Sequence, residues 1–204
     1  MANYMFQNIA NDRLAAGIPK SDRAAAAAWY RNAAQQVTGA SGEQIKRNPM
    51  PFQNIEKLSV NSIGKMYLFN YDPKHKLKLP YYDVFPLIFP IELYKDSILG
   101  INMHYLSPYH RAKLMDALYQ TITDDKYNSR TKLKINYQIL KGASQFGLFK
   151  PCIHKYLFDT QYLKSPFMAV NPEVWDYTLM LPLADFRKKS QEVVWMESLL
   201  KAAK

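Results

Sequence analysis

Three stretches decide the fold: Gly64–Asp72 (GKMYLFNYD), Tyr81–Leu93 (YYDVFPLIFPIEL) and Ser97–Leu106 (SILGINMHYL). Each sets large aliphatic and aromatic side chains among polar ones in short runs, the grammar of strands rather than of helices. Tyr94–Ser97 (YKDS) supplies a turn between the second and third. Pro86 and Pro90 have no backbone N–H to give a ladder, so the middle strand is expected at a sheet edge or broken by a bulge. The expectation is a small antiparallel sheet that could curl towards a barrel.

Towards the C-terminus the period changes. Ser107–Ile122 (SPYHRAKLMDALYQTI) offers Ser107 as N-cap, Pro108 at the first helical position and apolar residues at Leu114, Met115, Leu118 and Ile122, which predicts a helix over 108–121. Ser129–Ser144 (SRTKLKINYQILKGAS) spaces Leu133, Tyr137 and Leu140 as a second helix ending near Gly142, although TKLKINYQI also reads as a strand. Short strands are expected over 167–170 and 177–181, and a terminal amphipathic helix capped by Ser190 closes the chain. Sheet first and helices later is the order of an α+β domain.

Towards the N-terminus, residues 1 to about 60 are rich in Ala, Asn, Gln and Ser and poor in large aliphatics. Ser21, the alanine run and Gly39 frame one helix over 22–37. Its apolar stripe is alanine with Trp29 and Val37, too thin to hold a helix without docking on something. Gly39–Asn54 (GASGEQIKRNPMPFQN) reads as a linker. The chain is therefore expected to divide into a helical arm and linker, 1–60, and an α+β core domain, 61–204.

The formal net charge of +10 and a pI near 9.5 create a field that attracts polyanions; nucleic acid leads as partner, ahead of an anionic membrane surface. Cys152 is the single cysteine, so no intramolecular disulfide, CxxC redox pair or Cys-rich zinc site is available, in keeping with a reducing cytoplasm. The N-terminus lacks the layout of a signal peptide, and no segment approaches the run of about 18 apolar residues of a bilayer span.

Catalytic signatures are missing. His75, His104, His110 and His154 form no HxH or HExxH spacing, and there is no GxxxxGK[ST], GxGxxG or GxSxG. His104 follows a strand and precedes a helix, a place where active-site residues occur; without an identifiable partner it reads as a core or capping histidine. Asp124 and Asp125 lie in a turn composition (TDDKYNSR), and Cys152 reads as a buried, idle thiol. No cofactor and no metal is called for.

What remains is cations interleaved with aromatic rings. In Lys74–Pro80 (KHKLKLP), extended backbone would put Lys74, Lys76 and Lys78 on one side of a ribbon as a cationic edge. Arg111 and Lys113 add charge further on, and Tyr81 and Tyr82 could stack on unpaired terminal bases. These seven residues are the candidate nucleic-acid contacts, with a solvated hairpin tip as the plain reading of the lysines. Tyr67, Phe69, Phe85 and Phe89 read as core.

Gly64–Pro90 (GKMYLFNYDPKHKLKLPYYDVFPLIFP), followed by Gly100–Tyr119 (GINMHYLSPYHRAKLMDALY), resembles the central signature of the DNA end protector proteins of T-even-like tailed phages. The resemblance covers about 62–119, continues more loosely through Leu133–Leu157 and Val170–Pro182, and is absent from the alanine-rich region. It implies a minor, non-enzymatic virion protein acting at head completion. Such a protein associates with the ends of packaged linear double-stranded DNA and shields them from a host exonuclease after injection, so that it works in the virion and in the host cytoplasm. Head, neck or portal proteins would be further partners, with no membrane and no small-molecule substrate. No functional residue carries over from the resemblance. Two alternatives stand beside it: a neck or baseplate assembly protein, and a metal-dependent DNA-processing enzyme using Asp72, Asp83, Asp124 and Asp125.

Overall fold

A computed structural model describes residues 52–55, 58–59, 62–172, 175 and 183–203. The helix expected over 22–37 and the strand expected over 177–181 lie outside the described residues. In chain order the elements are β1 (Phe52–Ile55), β2 (Met66–Leu68), β3 (Tyr82–Asp83), β4 (Leu87–Leu93), β5 (Ser97–Asn102), α1 (Pro108–Thr123), α2 (Ser129–Gln145), β6 (Ile153–Leu157), β7 (Met168–Val170), β8 (Phe186–Arg187) and α3 (Gln191–Ala202).

Six strands form one antiparallel sheet in the order β1-β7-β2-β4-β5-β6, and β3 pairs with β8 as a separate two-stranded ribbon. The architecture is α+β, and the six-stranded sheet is open, with β1 and β6 at its two edges. β1 falls within the stretch that reads as a linker; its pairing with β7 draws those four residues into the sheet.

β4 settles the question of the prolines. It lies inside the sheet, between β2 and β5, so the edge-strand alternative is incorrect, and a register shift between Pro90 and Glu92 provides the bulge instead. The bulge leaves Pro90 no ladder bond to donate. The turn into β2 needs Gly64, whose φ of 89° is the left-handed region. A Cβ there would also stand 3.1 Å from the Cβ of Asn136 on α2, so the same glycine permits close approach of helix to sheet.

Successive residues of β2 enter different cores. Met66 and Leu68 join the cluster that includes Leu114, Met115 and Leu118 of α1, Leu140 of α2 and Val194 of α3. Tyr67 and Phe69 join Tyr71, Ile88, Ile98, Tyr156 and Phe167 on the other face, where the rings meet mostly edge to face. Because both faces are covered, β2 and most of β4 are buried without interruption, and their sequences show little polar alternation. Tyr67, Phe69, Phe85 and Phe89 are core residues as expected.

The helices expected from Pro108 and from Ser129 form as α1 and α2, and the expected terminal helix forms as α3. Pro108 sits in the first turn of α1 after Ser107, and the Asn128 side chain caps α2 by accepting from the Thr131 N–H at 2.9 Å. The strand alternative for TKLKINYQI fails because Asn136 and Leu140, one turn apart, are both buried on one helical face. Among the described residues no helix is long and apolar enough to cross a membrane.

Candidate nucleic-acid interface

The Lys74–Lys78 segment is not an extended ribbon. The Lys76 N–H donates to the carbonyl of Pro73, and the N–H groups of Lys78 and Leu79 donate to that of His75. These are turn bonds, and Pro73 and Pro80 on either side exclude the segment from a ladder. The extended alternation that would put the three lysines on one side is therefore lost; all three are exposed on a compact turn whose tip is Leu77, 90% exposed. Lys76 pairs with Asp72 at 2.8 Å, one helical spacing away, and the bond raises the pKa of the ammonium.

The turn is fastened from far along the chain. Lys188 directs its Nζ at three of the turn's carbonyl oxygens, those of Lys76 (2.8 Å), Leu77 (3.3 Å) and Leu79 (2.6 Å). Its own backbone has a φ of 75°, which a non-glycine residue adopts at a cost. The ribbon of β3 and β8 brings the two segments together, since Tyr82 pairs with Arg187 immediately before Lys188.

Two of the seven candidates are corrected by burial. Arg111 is 1% exposed and therefore cannot meet a phosphate. Its Nε donates to the carbonyl of Leu106 (2.8 Å), its Nη2 donates to that of His104 (3.3 Å), and its guanidinium lies 5.4 Å from the Trp195 ring centre. Burial lowers its pKa to about 10, against the pull of the Asp83 carboxylate, so it remains a cation at neutral pH. Its place on the inward face of α1, between Ala112 and the 103–106 turn, makes it a structural tie. Tyr81 is 6% exposed, with the ammonium groups of Lys189 and Lys201 at 5.2 and 5.4 Å from its ring centre, so its faces are not a free stacking platform. Lys113 is exposed on α1, 4.5 Å from the Tyr109 ring centre and apart from the lysine turn.

Lys74 and Tyr82 are brought together. With Tyr81 and His75 they line a cleft of about 360 Å³, opposite the edge strand β6, which contributes His154, Lys155 and Tyr156. Lys155 holds its ammonium 4.9 Å from the ring centre of Tyr94. Lys76 lies close enough to Tyr82 for their charges to interact, so it flanks the same side.

Beneath the cleft is a buried polar network. Asp83 Oδ2 lies 2.6 Å from His104 Nδ1 and accepts from Asn102 Nδ2 at 3.2 Å, while Asp83 Oδ1 accepts from the N–H groups of Phe85 (3.0 Å) and Asp185 (3.2 Å). Asn102 Nδ2 also donates to the hydroxyl of Tyr156 at 3.1 Å. Burial alone would raise the pKa of Asp83, but the His104 ring and these donors outweigh it and hold the carboxyl below the usual range. Burial pushes the phenols of Tyr105 and Tyr156 well up and the ring of His154 down to about 4, so all three are neutral at pH 7. The cleft thus has cations on its outer turn and, within, neutral hydrogen-bonding groups beside the Asp83–His104 pair.

His104 is wholly buried in this network, a core histidine as its sequence context suggested. Cys152 is buried, its thiol pushed up to about 12 by desolvation. Among the described residues no group of three or more His, Cys, Asp or Glu side chains is placed to hold a metal ion. Asp83 is committed to the network, Asp72 to Lys76 and Asp124 to the N–H of Lys126 in the α1–α2 turn, where Asp125 is exposed.

Sequence reasoning missed Lys155 and His154 as cleft walls and Lys188 as the fastening of the turn. The run Arg187–Lys189 is visible as a basic cluster. Its bonds to Lys76, Leu77 and Leu79 span 109 to 112 residues and leave no local signal.

Curated proteins and solved structures give no match to this chain. A family model does: that of the Phage T4 terminal DNA protecting protein, over residues 29–199. The match takes in the sheet from β1 to β7, the lysine turn, the cleft and most of α3. A family covering so much of the chain is decisive where the site geometry is only suggestive, and the chain belongs to the phage terminal DNA protecting protein family.

Proposed function

We propose that this protein binds the ends of linear double-stranded DNA in the virion, without sequence specificity, and shields them from exonuclease by occupying them rather than by any reaction of its own. The observation that carries this reading is the convergence of Lys74, Tyr82 and His75 on one cleft, with Lys76 and Lys78 exposed on the same turn, in a chain of net charge +10. Cations on a protruding turn suit phosphates of any sequence, because phosphate contacts position a protein on DNA without reading bases. Lys113 is a peripheral contact of the same kind. Arg111 and Tyr81 leave the contact set, which becomes Lys74, Lys76, Lys78, Lys113 and Tyr82.

The test is the triple variant Lys74→Ala/Lys76→Ala/Lys78→Ala, titrated with linear duplex across a salt series. All three side chains are exposed, so the fold is expected to survive. Each lost phosphate contact should reduce the slope of log K against log salt by about 0.9, giving a flattening of about 2 to 3 and weaker binding at low salt. Unchanged affinity and slope would remove the turn from the interface.

A second reading, assembly on head, neck or portal proteins, draws on Met196, Leu199 and Leu200 of α3 and on Phe146, all exposed apolar residues. Replacing Met196 and Leu200 with Gln should lower incorporation into heads while leaving DNA binding intact if those residues face a virion protein.

A further inference from the structure

The cleft has a polarity that the exposed lysines do not. Its outer side carries Lys74 and His75, while its inner wall carries the Asp83 carboxylate and the neutral phenols of Tyr105 and Tyr156. Inward of that turn the wall is made of aromatic rings and of hydrogen-bonding groups that burial keeps neutral, with Asp83 already paired to His104, so it suits a neutral heterocycle and the edge of a base better than a phosphate. The cavity of about 360 Å³ lies at the lower end of small-ligand pockets, the scale of one nucleotide rather than of a duplex.

We infer that the cleft receives a single unpaired terminal nucleotide, base inward against Tyr82 and phosphate outward on the Lys74–His75 turn. This rests on the DNA-end reading above and adds to it the reason why ends are preferred. An internal base must be unstacked and unpaired to enter, at a cost of a few kcal/mol, and a terminal base frays at much less. Selection for ends then follows from fraying alone and needs no sequence readout, since every base has a face to stack. The fastening by Lys188 serves the same purpose, because its bonds to the carbonyls of Lys76, Leu77 and Leu79 fix the turn that forms the outer wall.

The experiment uses the full chain and a linear duplex with 2-aminopurine either at the terminal nucleotide or in the middle, with binding followed independently by anisotropy. The expected result is a change in emission on binding at the terminal position alone. Tyr82→Ala should shift the concentration needed for it about tenfold, in the range expected for one stacked base. Lys74→Ala/His75→Ala, at exposed positions that the fold does not need, should shift it in the same direction. Binding by anisotropy with equal emission changes at both positions, or with a terminal change indifferent to both variants, would overturn the cleft inference and leave end binding standing. No binding by anisotropy to any open-ended duplex would overturn the DNA-end reading itself, and the inference with it.

Discussion

At the scale of the residue, burial decides what a charged or titratable side chain can do. His154 lines the cleft with its ring 4.2 Å from that of Tyr105, and desolvation lowers its pKa to about 4, with Lys201 adding to the effect and Asp83 and the Pro151 backbone opposing it. The unfolded chain binds a proton there below about pH 6.5, whereas the folded chain does so only below about 4. Its contribution to stability is therefore complete above pH 6.5 and declines as the pH falls to about 4, by about 3 kcal/mol in all. Denaturant unfolding at intervals over that window should show the decline in the native chain and a flatter profile in His154→Gln; parallel profiles would assign the acid sensitivity elsewhere. Arg111 and Lys113 make the complementary point. Two residues apart on one helix, they look equally available in the sequence, yet one is sealed against Trp195 and the other is exposed. Helical phase assigns them to different faces, and which face is buried depends on the sheet beneath.

At the scale of the element, the sequence was legible wherever local chemistry was enough. The Ser107–Pro108 start of α1, the helical spacing of Leu133, Tyr137 and Leu140 in α2, and the run of large apolar residues in β2 all concern neighbouring residues. Pro90 announced a bulge or an edge but not which, because that choice depends on the pairing partners of β4. The lysine turn does not follow the extended reading for a related reason: KHKLKLP alternates as a strand would, but Pro73 and Pro80 close both ends and, among the described residues, no strand pairs with it. Lys188 holds that turn through three carbonyls while sitting at a φ of 75°. Lys188→Ala removes the ammonium and keeps the backbone cost, so local opening of 74–79 should rise about tenfold, in line with the loss of hydrogen bonds to a charged group. Brief trypsin digestion should report this as faster cleavage after Lys76 or Lys78, with cleavage unchanged elsewhere apart from the site lost at residue 188. Equal rates in the two proteins would mean the turn is held by its own bonds.

At the scale of the whole molecule, the net charge of +10 pointed to polyanions as a class of partner, and the match over 29–199 places the chain in the terminal DNA protecting protein family. Charge and composition could not locate the proposed interface, since the cleft is assembled from residues between Tyr71 and Leu157 that no single window contains. The most direct test of the account is exonuclease digestion of one end-labelled linear duplex in the presence of the purified protein, beside a duplex closed at both ends by hairpin loops as binding competitor. The account predicts that the native chain slows digestion in proportion to end occupancy, that open-ended DNA competes better than closed DNA, and that Lys74→Ala/Lys76→Ala/Lys78→Ala loses most of the protection. Digestion at the unprotected rate under conditions where the protein is bound to the duplex would contradict it.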